Sequence, residues 1–191
     1  GLGGNVGVAV VLALLVGALC GAWNGFLVAK LKVQPIVATM ILLTAGRGIA
    51  QLIADGKIVT ITSDAYYYIS GGYILGLPFP MYIAAVILVL ALLITKKTAF
   101  GLAVEAIGIN SDSARLAGIK VERVIIRTMV LSGAVCGLMG LLLTAGTDHT
   151  LTTTIVGGRG FTAVMVSWLA KFNPIVMVFT SLLLVVLSRG A

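Results

Sequence analysis

Charge is what this sequence has least of. Only 10% of its 191 residues are Asp, Glu, Lys or Arg, against about 25% in a soluble globular domain. That shortfall excludes an ordinary water-exposed surface. Histidine occurs once and cysteine twice, with no spacing that would gather a metal ion. Cys20 and Cys136 both fall inside apolar runs and read as packed thiols rather than a disulfide. The acidic residues number six, and none lies in the middle of an apolar run. Ion-driven transport commonly needs a carboxylate there, so that rival class loses support. No G-x-x-x-x-G-K-[ST] phosphate loop is present, so this chain does not hydrolyse ATP by that route. His149 beside Asp148 has no companion nucleophile or second base, and it reads as part of a polar loop. An intramembrane enzyme therefore finds no working set of groups. "GGRGF" (157–161) lacks the lysine and the preceding strand of a phosphate-binding turn and reads as a hinge or helix break.

What the chain has instead is apolar length. Its mean hydropathy is +1.16 and 60% of it is hydrophobic. A membrane-crossing helix needs about 20 apolar residues, and four stretches approach or reach that: 6–28, 36–54, 80–95 and 124–146. The net charge of +7 does not indicate nucleic acid. Its basic residues stand at the ends of apolar runs rather than in one stripe, as topology signals do. Gly17, Gly21 and Gly25 recur every four residues in the first span, and Gly133 and Gly137 repeat the spacing in the fourth. Such faces let helices approach closely. Pro35 suits the start of the second span. Tyr66, Tyr67, Tyr68 and Tyr73 crowd the connection 55–79, where short strands or a small interfacial helix are expected. Near the end, Pro174 splits an apolar run and leaves about 11 residues before Lys171, too few to span and suited to a re-entrant half-helix. The chain opens without methionine, directly into an apolar run, and reads as a fragment of a longer polytopic protein.

The basic residues orient the spans. The segment 96–127 carries Lys96, Lys97, Arg115, Lys120, Arg123 and Arg127, whereas 55–79 carries only Lys57 beside Asp55 and Asp64. By the positive-inside rule 96–127 faces the cytoplasm, together with Lys30 and Lys32, and 55–79 lies outside.

The polar stretch "AIGINSDSARLAGI" (106–119) is the least expected feature of so oily a chain. Its Gly108, Asn110, Ala114, Arg115, Ala117, Gly118 and Ile119 resemble the cytoplasmic coupling loop of bacterial ABC importer permeases, of the branch carrying ribose, galactose and related sugars, and ribonucleosides. The family pattern is approximately G-x-N-x-x-A-A-R-x-x-G-I, with Ser113 here where alanine is commoner. Residues 34–53 also resemble the sugar branch, and 157–174 the nucleoside branch. The resemblance implies an all-α polytopic transmembrane bundle and import of a simple sugar, with nucleoside import as the alternative. It also implies ATPase subunits that carry Mg-ATP, a second permease, alike or related, and an external binding protein. This chain would hold no cofactor itself.

In such a loop Glu105, Gly108, Asn110, Ala114, Arg115, Gly118 and Ile119 form the set that meets the ATPase. Ser111 or Asp112 is expected to cap a helix through Ser113–Leu116, with Gly118 ending it in a left-handed conformation. Arg115 offers a multi-donor fork to a carboxylate or carbonyls. For the substrate route the candidates are Arg47 and Gln51, one helical turn apart, with Asn24 and Trp168, and more weakly Trp23 and Asn173. Arg47 lies about 18 Å into its span, where a charge must find protein or water. Lining the path and clamping a neighbouring helix are equally open to it.

Overall fold

The fold was read from a computed structural model, which describes residues 6–53, 59–60, 73–74, 77–144, 150–151 and 158–190. Tyr66, Tyr67, Tyr68, Asp148 and His149 lie outside the described residues. The chain divides into two units, residues 1–153 and 154–191.

The first unit holds six helices among its described residues: α1 (Val6–Lys30), α2 (Pro35–Ile53), α3 (Phe79–Lys97), α4 (Ala99–Ile109), α5 (Ser111–Leu116) and α6 (Val121–Leu143). α1, α2, α3 and α6 are each long and apolar enough to cross a membrane. They match the four expected spans to within a few residues. Lysines end two of them, Lys30 for α1 and Lys96 and Lys97 for α3, where cations also complement the helix dipole. Hydroxyls within the spans bond back to their own helix. Thr39 donates to the Pro35 and Ile36 carbonyls, Thr44 to Met40 and Thr128 to Val124. That is how such groups are satisfied in a medium without water.

α1 and α6 form the main helix pair. They run antiparallel along a glycine seam in which Gly17 meets Gly133 and Gly137, Gly21 meets Met129, and Gly25 meets Ile126. A Cβ at Gly17 would collide with the Gly133 carbonyl oxygen, and one at Gly133 with the Gly17 carbonyl oxygen. The four-residue spacing therefore serves close packing, with backbone against backbone. In a bilayer, van der Waals contact of this kind, rather than burial of oil from water, holds helices together. Accordingly, no large side chain is fully buried among the described residues, and Leu12, Leu15, Leu19, Val89, Leu90 and Met139 point outward. Cys20 is half-buried and Cys136 exposed, and both are free thiols. The expectation of packing holds for Cys20 only, because residue 136 turns away from the seam.

The α1–α6 register places Lys30 level with Lys120, so the basic residues of both helices gather at one end. Two pairs of two-residue strands complete the unit. β1 (Val59–Thr60) pairs antiparallel with β4 (Thr150–Leu151), and β2 (Tyr73–Ile74) with β3 (Leu77–Pro78). The β1–β4 ladder pairs two residues after α2 with two residues after α6.

The second unit is a helix pair, α7 (Arg159–Leu169) and α8 (Pro174–Gly190). α7 has 11 residues, or about 16 Å, roughly half the hydrocarbon thickness. The turn after it puts Lys171 and Phe172 at positive φ, 50° and 58°, a conformation that costs a non-glycine residue about 1–2 kcal/mol. Paired backbone bonds hold it. Lys171 N–H donates to the Trp168 carbonyl at 3.1 Å and Phe172 N–H to Ser167 at 3.0 Å. Asn173 Oδ1 then accepts from Ile175 N–H at 3.2 Å, with Pro174 as the first helical residue of α8.

Candidate functional site

The polar stretch folds into two short helices joined through one residue. Thr98 starts α4, its side chain accepting from Gly101 N–H at 3.2 Å. Asn110 ends α4 and begins α5. Its N–H donates to the Ala106 carbonyl at 3.2 Å, and its Oδ1 accepts from Asp112 N–H at 2.9 Å and Ser113 N–H at 3.2 Å. The expected cap, Ser111 or Asp112, is therefore corrected. Asn110 takes the extended conformation a cap requires (φ −157°, ψ 111°), which leaves Ser111 and Asp112 inside the first turn. Gly118 has φ +84° and closes the helix as expected. Gly118 N–H donates to Arg115, and Ile119 N–H to Ala114, both at 3.0 Å, the double bond pattern of a left-handed glycine cap. Both ends of a six-residue helix are thus pinned.

What this helix exposes matters most. Ala114 is buried against the chain. Ile109, the last residue of α4, is 82% exposed, and Leu116, the last residue of α5, is 91% exposed. Glu105, Gly108, Asn110 and Arg115 are exposed as well, Gly118 is open, and Ile119 is half-buried. A side chain added at Gly108 or Gly118 would meet nothing within 4 Å, so packing within the chain does not require small residues there. Arg115, Ile119, Lys120, Val121, Glu122 and Arg123 line an open concavity of about 530 Å³. None of the charged side chains from 96 to 127 makes an ion pair among the described residues. Ile109 and Leu116 were not among the residues the sequence pointed to. Two large apolar side chains inside a polar, basic segment were the available signal.

The candidate substrate-route residues are not brought together. Arg47 and Gln51 share one face of α2, both exposed, and neither side chain has a hydrogen-bond partner among the described residues. The clamp considered for Arg47 is not made within those residues. Asn24 is 7% exposed beside the glycine seam, and its Oδ1 lacks a partner among the described residues. Trp23 is exposed on α1 and Trp168 on α7, and Asn173 is a helix cap. No group of three or more metal-ligating side chains occurs among the described residues.

Comparison with known proteins decides the family. The family described as "Branched-chain amino acid transport system / permease component" matches residues 2–191, essentially the whole chain. The chain belongs to this permease family. With four membrane-capable helices among its described residues, this permease is a multi-pass protein of the cell membrane. It is 45% identical over 143 residues to the galactofuranose transporter permease protein YtfT of Escherichia coli, covering 75% of this chain and 42% of that protein. To the fructose import permease protein FruF of Bifidobacterium longum it is 37% identical over 147 residues, 75% and 41% of the two chains. To the ribose import permease protein RbsC of Haemophilus influenzae it is 32% identical over 171 residues, 78% and 53%. The permease thus spans about two fifths to one half of the length of these relatives. No solved structure matches it.

Proposed function

We propose that the permease is the membrane-spanning subunit of a binding-protein-dependent ABC importer for a simple sugar, in the bacterial inner membrane. Its partners are ATPase subunits that hold Mg-ATP, a second permease and an external binding protein. The relatives named for galactofuranose, fructose and ribose support the substrate class. The exposed apolar side chains Ile109, at the end of α4, and Leu116, at the end of the capped helix α5, carry the mechanism. ATP-driven movement of a partner is passed on only by an element that does not deform. α5 meets that need: Asn110 and Gly118 fix its ends, Ala114 seats it, and Ile109 and Leu116 anchor the partner. Gly108 and Gly118 let a partner backbone come close, and Arg115 supplies donors for a carboxylate. α5 is thus the coupling helix, with Glu105 and Ile119 at its margins. Along the path, the guanidinium of Arg47 and the amide of Gln51 meet sugar hydroxyls transiently. α7, too short to span, is a re-entrant half-helix.

Resemblance of 157–174 to nucleoside permeases favours a second reading, import of a ribonucleoside. Uptake by cells expressing the full-length permease with its binding protein and ATPase separates the two. Saturable uptake of a labelled pentose or hexose, lost when the ATPase is inactivated, is the expected result. Uptake of nucleosides alone would select the second reading. Uptake that survives inactivation of the ATPase would contradict the proposal.

A further inference from the structure

We propose that the basic end of α6 is a binding site for the phosphate headgroup of an anionic phospholipid. The face of α6 turned to α1 carries Ile126, Met129, Gly133 and Gly137. Lys120, Arg123 and Arg127 follow one another at spacings of three and four, so they form a single row about a quarter turn from that face. All three are exposed, and none has an ion-pair partner among the described residues. The same row continues toward the middle of the span as Leu131, Ala134 and Leu138. A row that is cationic at the helix end and apolar along the span has the polarity of a phospholipid, phosphate at one end and acyl chain along the other.

Lys120 and Arg123 also line the open concavity at that end, where the single acid is Glu122. The α1–α6 register adds Lys30 at the level of Lys120. The depth of the row selects the partner. Arg127 lies inside the segment suited to cross the membrane, about 9 Å along the helix from its start. A lipid phosphate sits at the level to which an arginine snorkels, and its acyl chain can follow the apolar part of the row, which a soluble protein's carboxylate cannot do. Unpaired cations near hydrocarbon are costly, and one phosphate relieves more than one of them. Basic clusters at the cytoplasmic end of a span are suited to this chemistry. The inference does not depend on which substrate is carried.

The test is native mass spectrometry of the full-length permease released from mild detergent with equal amounts of phosphatidylglycerol and phosphatidylcholine. The wild type is expected to retain phosphatidylglycerol in preference, and the preference to fall as salt is raised. Arg123→Gln with Arg127→Gln should lower it by about thirtyfold, while Arg123→Lys with Arg127→Lys keeps most of it. Equal retention of the two lipids by the wild type overturns the proposal even if the glutamine variant fails to fold. So does a folded glutamine variant that keeps the wild-type preference, as expected if these cations serve a protein partner instead. Displacement of the lipid by millimolar inorganic phosphate would show a free-anion site and also overturn it.

Discussion

Asn110 does the work of two residues, closing α4 with its backbone and opening α5 with its side chain. Losing such a cap costs about 1 kcal/mol, or roughly a fivefold rise in local opening. Asn110→Ala should therefore speed deuterium exchange across residues 112–116 about fivefold, with α6 unchanged. Ser111→Ala should leave it as in the wild type. The opposite pattern would restore the cap first expected from the sequence. Only Ser111 and Asp112 were expected from the sequence, although Asn110 just before them is of a type that prefers the same role, and composition cannot choose among such neighbours. The choice is made where the backbone turns extended, which depends on where α4 ends. Gly118 was legible because a left-handed closing residue has one strongly favoured identity.

At the scale of elements, the spans were legible because length and hydropathy in a bilayer leave the backbone little choice but a helix. The glycine spacing was legible as a packing face, but its partner was not. Five glycines name two faces, and only the fold shows that they meet each other, antiparallel, with Gly17 against Gly133. The burial of Asn24 follows from that pairing, which is why a residue read as a path candidate lies beside the seam. Gly133→Ala pushes a methyl group into backbone that no rotamer change can move. It is expected to destabilise the permease by about 1–3 kcal/mol, seen as a lower Tm in detergent. Gly140→Ala meets nothing within 4 Å on the same helix and should leave Tm unchanged or slightly raised. Equal Tm for both variants would mean that the close approach of α1 and α6 does not hold the fold.

For the whole molecule, the charge-poor composition and the polar island at 98–122 have a common explanation. Spans face lipid and carry apolar side chains outward, and the island presents a capped, partly apolar surface at their basic end. Ile109 and Leu116 project there, although an exposed leucine in a polar segment gains nothing until a partner covers it. Burying such a side chain stabilises by about 1.5–3 kcal/mol, enough for one substitution to break coupling. The most direct measurement is substrate-stimulated ATPase activity of the complete importer, reconstituted in vesicles with the permease carrying Leu116→Asp. The account predicts a permease that inserts and keeps its Tm, with stimulation lowered about tenfold or more. Wild-type stimulation by that variant would contradict it and leave α5 a passive loop.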